Sequence, residues 1–114
     1  MRIIDRALAA LLILGAAGHT FGVLDYYKNQ PDALYWSLTA TLLIVLVAAV
    51  NLLRSMRPHD RGVAWLALGA TAGYFACTIG FGRLMNDMTD PRVLGFGAVC
   101  PGLIAFGIGS LRRA

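Results

Sequence analysis

Five side chains with chemical capability sit inside otherwise apolar sequence: His19, Thr20, Tyr74, Cys77 and Cys100. His19 is the only acidic or basic residue that the sequence sets deep in an apolar run, within Gly15-Ala-Ala-Gly18-His19-Thr20-Phe-Gly22. An imidazole there can donate a hydrogen bond to a backbone carbonyl, or share one with a hydroxyl such as Thr39 or Thr41, tying two helices together. It can equally ligate a metal, a haem or a chlorophyll-type pigment. Thr20 can satisfy itself on its own helix backbone. Counted inward from the polar ends of their runs, His19, Cys77 and Cys100 lie at depths of roughly 8, 9 and 12 Å at 1.5 Å per residue. One layer of a bundle can therefore hold all three. A histidine with two thiolates suits zinc or copper, and two thiols with Cα atoms within about 7 Å suit a disulfide. Free cysteine is also an ordinary small apolar residue of packed interiors, so no metal ligands are assigned and the cofactor stays unnamed.

The elements that must position these residues follow from composition. Of the 114 residues 58% are hydrophobic and 14% charged, against about a quarter charged in soluble domains. Lipid is the expected solvent. Four apolar runs, about 7–24, 34–53, 63–82 and 93–111, meet the roughly 20 residues that a bilayer core requires. Short polar connections make consecutive runs antiparallel neighbours. The expected fold is therefore all-α: an integral membrane antiparallel four-helix bundle, with residues 1–114 as one domain. Arg2 and Arg6 before a run ending in Ala16-Ala17-Gly18 also fit a signal peptide; the run is expected to remain as an uncleaved anchor.

Seven basic residues (Arg2, Arg6, Arg54, Arg57, Arg61, Arg112, Arg113) fall on one side of these spans, and three (Lys28, Arg83, Arg92) on the other. The positive-inside rule then puts both termini in the cytoplasm. Tyr26, Tyr27, Tyr35 and Trp36 form an outer aromatic belt, and Trp65 an inner anchor. The net charge of +4 meets anionic headgroups rather than nucleic acid, since no basic face interleaved with aromatics remains outside the spans. Arg54 to Arg61 reads as a headgroup-binding turn with His59 exposed. Asp25, Asp87, Asp90, Arg83 and Arg92, beside Tyr26 and Tyr27, read either as a solvated loop cluster or as the mouth of a site for a polar headgroup or cation.

Thirteen glycines are many for this length. Gly18 and Gly22, like Gly69 and Gly73, stand four apart, which sets two hydrogen side chains on one helix face for close backbone approach. With Gly15 extending the first face, these five are the expected helix-packing residues, and spans one and three are expected to pack closely, within a bundle or across a dimer. Pro31 and Pro91 precede spans two and four alike, and Leu12-Ile-Leu-Gly15-Ala16 echoes Leu66-Ala-Leu-Gly69-Ala70. These echoes suggest two hairpins related by an axis along the membrane normal. Pro101 predicts a kink in span four. Asn51 can bond across helices or reach interfacial water.

In length and layout the chain is similar to the small multidrug resistance transporters, yet their coupling glutamate in the first span has no counterpart, because the chain contains no glutamate. A b-type haem would require histidines paired across spans, and only His19 lies in one. On the Gly18-His-Thr-Phe-Gly22 stretch and the Asn29-Gln-Pro31 loop, the chain resembles small four-span inner-membrane proteins of bacteria, a resemblance that implies a multi-pass protein of the cell inner membrane and no particular activity. The leading expectation is a non-enzymatic structural or accessory protein associating through glycine faces, as a homo-oligomer or in a larger membrane complex. The alternative is a carrier or binding protein for a small lipophilic ligand, with His19, Thr20, Tyr74, Cys77 and Cys100 in an outer-half pocket. An enzyme ranks third, because no nucleophile, base and acid can be assembled from the sequence.

Overall fold

The computed structural model describes residues 2–113; residues 1 and 114, the ends of the expected domain, lie outside it. The chain forms four helices in succession, α1 (Arg2–Tyr26), α2 (Pro31–Met56), α3 (Arg61–Leu84) and α4 (Pro91–Arg113), with no strand among the described residues. Each is long and apolar enough to cross a membrane. Helices of 23–26 residues rise roughly 35–39 Å, comfortably more than the ~30 Å hydrocarbon layer.

The helices outrun the expected spans by two to five residues at each end, because the polar flanks continue the helix instead of breaking it. Proline opens α2 and α4, where its missing N–H costs nothing. The Asp60 carboxylate caps α3 by accepting from the Val63 N–H at 3.0 Å, and Asp90 accepts from the Arg92 N–H at 2.9 Å at the start of α4. At the end of α3 the Asp87 and Asn86 N–H groups return to the carbonyls of Gly82 and Arg83. This closure needs a left-handed residue, supplied by Asn86 at φ 55°.

Residues at spacings of three and four line the core: Ala9, Leu12 and Ala16 from α1, Ile44, Val47 and Ala48 from α2, Tyr74 from α3, Cys100 and Leu103 from α4. Most of these are small, whereas large apolar side chains such as Phe21, Leu46 and Leu66 point outward and are more than half exposed. So much outward apolar surface is what a lipid environment requires and water penalises.

α1 packs along α2, and α3 along α4, as two hairpins. These meet through α2 with α3 and through α1 with α4. α1 and α3 lie on a diagonal with no close approach of their backbones, contrary to the expectation that spans one and three pack closely within the bundle. Hydropathy fixes that a residue lies in a span, whereas the partner of each face depends on helix rotation. α4 runs through Pro101 as one helix.

Candidate ligand-binding site

The two ends of the bundle differ sharply. At the end carrying both termini, the Arg54 guanidinium is 1% exposed and reaches all the way across the core. Its Nη2 and Nη1 donate to the Asp5 carboxylate at 2.6 and 3.0 Å. Nη1 also donates to Ser110 Oγ at 3.1 Å, and Nη2 to Asn51 Oδ1 at 3.2 Å. Asn51 in turn donates to Thr71 Oγ1 at 2.8 Å. Arg54 and the residues it holds thus join α1, α2, α3 and α4 in one satisfied network. Asp5 lies in the first turn of α1 and Arg54 in the last turn of α2, where the helix dipoles favour their respective charges. His19 is therefore not alone: a carboxylate and a guanidinium are also buried within helices, and Asn51 bonds across helices.

At the opposite end, where the α1–α2 and α3–α4 connections lie, the hairpins part. An open cavity of about 840 Å³ separates α1 from α4, floored by Gly15, Gly18, Gly22 and Gly95 and rimmed by Tyr26, Tyr27 and Arg92. A second, of about 270 Å³, lies chiefly between α2 and α3 beside Trp36, Tyr74 and Cys77. His19, Tyr27, Arg92 and Phe96 line both, and so form the wall between them. Phe96 stands edge-on to Tyr74 at 5.8 Å between ring centroids.

His19 Nδ1 lies 2.8 Å from Thr41 Oγ1, tying α1 to α2. Thr39 instead donates to its own helix at Tyr35. Thr20 donates to the Ala16 carbonyl at 2.8 Å and stands 3.3 Å from Thr41 Oγ1, so it supports the partner of His19 and lines neither cavity. Tyr74 and Cys77 line the smaller cavity with His19. Cys100 is fully buried in the core, away from both cavities. Both thiols are free, Cys77 exposed and Cys100 buried. Among the described residues no three His, Cys, Asp or Glu side chains are grouped to hold one ion. Equal depth along helices brings His19 and Cys77 to one cavity but leaves Cys100 out, because helix rotation buries Cys100 in the core.

The glycines act by omission. A Cβ at Gly18 or Gly22 would meet nothing within 4 Å, whereas one at Gly15 would fall 2.6 Å from Phe96 Cε1. Gly15 is thus a close-packed position, while Gly18 and Gly22 leave the larger cavity empty. Gly69 and Gly73 also face open space, on the outside of α3.

At the rim, Arg92 Nε and Nη2 donate to Asp90 at 3.0 and 2.9 Å, with the guanidinium carbon 4.9 Å from the Phe81 ring centroid. These hydrogen bonds hold the Asp90 carboxyl down to about 2. Phe96 gave no signal in the sequence, where it is one apolar residue among many; Arg92 and Tyr27 were legible as rim residues but not as the shared wall of two cavities. No family model, curated protein or solved structure matches the chain, and the site's own geometry carries its interpretation.

Proposed function

We propose that this is a multi-pass protein of a bacterial inner membrane, with both termini in the cytoplasm, that binds or carries a small lipophilic ligand in the cavity between α1 and α4. The carrying observation is that cavity of about 840 Å³ with His19 in its wall, within the roughly 300–1,000 Å³ of small-molecule sites. Its walls are mainly apolar, with a few convergent polar groups, which is the usual make-up of such sites. The buried Arg54 network closes one end of the bundle, so a ligand enters from the far end or sideways from lipid. The test is native mass spectrometry with an absorbance spectrum on protein extracted from its membrane in mild detergent. A stoichiometric extra mass, lost when Gly18→Leu fills the cavity, supports a binding protein; a bare chain with bulk phospholipid only counts against it.

A structural or accessory role is the second reading, supported by the face of α3 on which Gly69 and Gly73 meet nothing in the chain. Such a face admits close approach by another helix, from a second copy or a larger membrane complex. Loss of a detergent-stable oligomer on Gly69→Leu and Gly73→Leu would favour it over the first.

A further inference from the structure

The larger cavity offers four polar residues to an occupant, His19, Tyr26, Tyr27 and Arg92, and the smaller cavity shares all but Tyr26. Arg92 already spends Nε and Nη2 on Asp90, so the one Arg or Lys that lines the cavities among the described residues is neutralised at the rim. No carboxylate lines either cavity among the described residues, which leaves a cationic head without a counter-ion. An anionic head would find only Nη1 of a guanidinium whose charge Asp90 already offsets. The charge pattern therefore favours a head without charge.

Proton bookkeeping around His19 sharpens this. The Thr41 hydroxyl has one proton to give, to His19 Nδ1 at 2.8 Å, to Thr20 Oγ1 at 3.3 Å or to the Ser37 carbonyl at 3.5 Å. The two longer contacts lie beyond the usual range for a hydroxyl donor. Thr20 gives its own proton to Ala16 O at 2.8 Å. Assigning the Thr41 proton to Nδ1 makes that nitrogen the acceptor and places the ring proton on Nε2. Nε2–H then has no acceptor among the described residues, and neither has the Tyr27 hydroxyl. His19 lies seven residues before Tyr26, so its donor sits roughly 10 Å below the aromatic rim.

Building on the ligand-binding reading above, we infer that the occupant is a neutral amphiphile whose head accepts hydrogen bonds, such as an ester, ketone or ether. His19 Nε2 and the Tyr27 hydroxyl donate to that head, and its apolar tail leaves between α1 and α4 past Leu11 and Val99.

Two probes that share tail and ester and differ by one phosphate group test this: 1-lauroyl glycerol and its 3-phosphate, titrated into the full chain in nanodiscs and counted by native mass spectrometry. The expected result is one lauroyl glycerol per chain, bound at least about tenfold tighter than the phosphate, a difference of about 1.4 kcal/mol. Two substitutions separate binding from packing. His19→Asn keeps a polar atom at the Nδ1 position for Thr41 and removes the Nε2 donor; His19→Gln does the reverse. Lauroyl glycerol affinity should fall about tenfold in His19→Asn with the melting temperature unchanged, as the loss of one hydrogen bond predicts. In His19→Gln it should stay within about threefold while the melting temperature drops. Tighter, salt-sensitive binding of the phosphate, or no effect of His19→Asn on affinity, overturns the neutral-head assignment and leaves a binding protein. Failure of both probes to bind stoichiometrically, or a dimer whose interface covers Gly18 and Gly22, overturns the binding reading as well.

Discussion

Asp5 and Arg54 stand 49 residues apart in the chain and form a two-point ion pair inside the bundle, at 2.6 and 3.0 Å, with both side chains nearly sealed from solvent. Arg54 is the largest fully buried side chain. Its planar fork suits two carboxylate oxygens at once, which a lysine ammonium cannot match. The pair ties α1 to α2 at the closed end, opposite the end at which the hairpins part.

Breaking the pair on one side should therefore cost far more than removing it. Asp5→Asn strands a buried guanidinium and is expected to destabilise the protein by about 3–5 kcal/mol. The double variant Asp5→Leu with Arg54→Met should recover most of that loss, though not all, because Asn51 Oδ1 then loses its donors at a cost of about 1–3 kcal/mol. Unfolding midpoints of the single and double variants in one detergent check both statements. Equal losses in the two would mean that the side chains stabilise through shape and not through charge.

The glycines of α1 should divide into two kinds. Gly18→Ala and Gly22→Ala place a methyl group in open space and should leave stability equal or raised by up to about 1 kcal/mol, from helix propensity alone. Gly15→Ala must displace the Phe96 ring and should cost about 1–3 kcal/mol as overpacking. Thermal melts of the three variants decide the matter, and a stability loss at Gly18 as large as at Gly15 would show that the α1–α4 cavity is closed in solution.

The two thiols should differ under alkylation. Cys77 is exposed beside the smaller cavity and Cys100 is buried in the core. N-ethylmaleimide on the folded, detergent-solubilised protein should add one label, at Cys77, and a second only after denaturation. Peptide mass mapping reads the positions, and rapid native labelling of Cys100 would mean that α4 opens at Pro101.

Much of this was legible in the sequence, and what was not has a common physical origin. Apolar runs marked the four helices and their short antiparallel connections, because burial in lipid is a property of each run by itself. The His19–Thr41 tie was foreseeable from a polar residue in one span seeking a hydroxyl in the next. Hydropathy ends a span at its first charge and so reads Arg54 as the start of a loop, whereas α2 continues to Met56 and a charge can stay inside when its partner comes from elsewhere in the chain. Rotation about each helix axis was invisible too. It separated Gly18 from α3 and buried Cys100 away from the cavity that Cys77 lines, and it brought Phe96 against Gly15.

Asp90 has its carboxyl held at about 2, below its ordinary 3.8, by hydrogen bonds from the Arg92 side chain and backbone. A carboxylate depressed on folding stabilises the protein fully above its unfolded value and loses that contribution as pH falls through its folded value. The advantage of wild type over Asp90→Asn should therefore be constant above about pH 4 and fade toward pH 2. Asp90→Asn also frees the Arg92 charge at the cavity mouth. It should raise the affinity of the phosphate probe at neutral pH while leaving the neutral probe nearly unchanged, and added salt should reverse that gain through screening. An unchanged preference in Asp90→Asn would mean that Arg92 does not face the ligand, and the choice of a neutral head would then rest on His19 and Tyr27 alone.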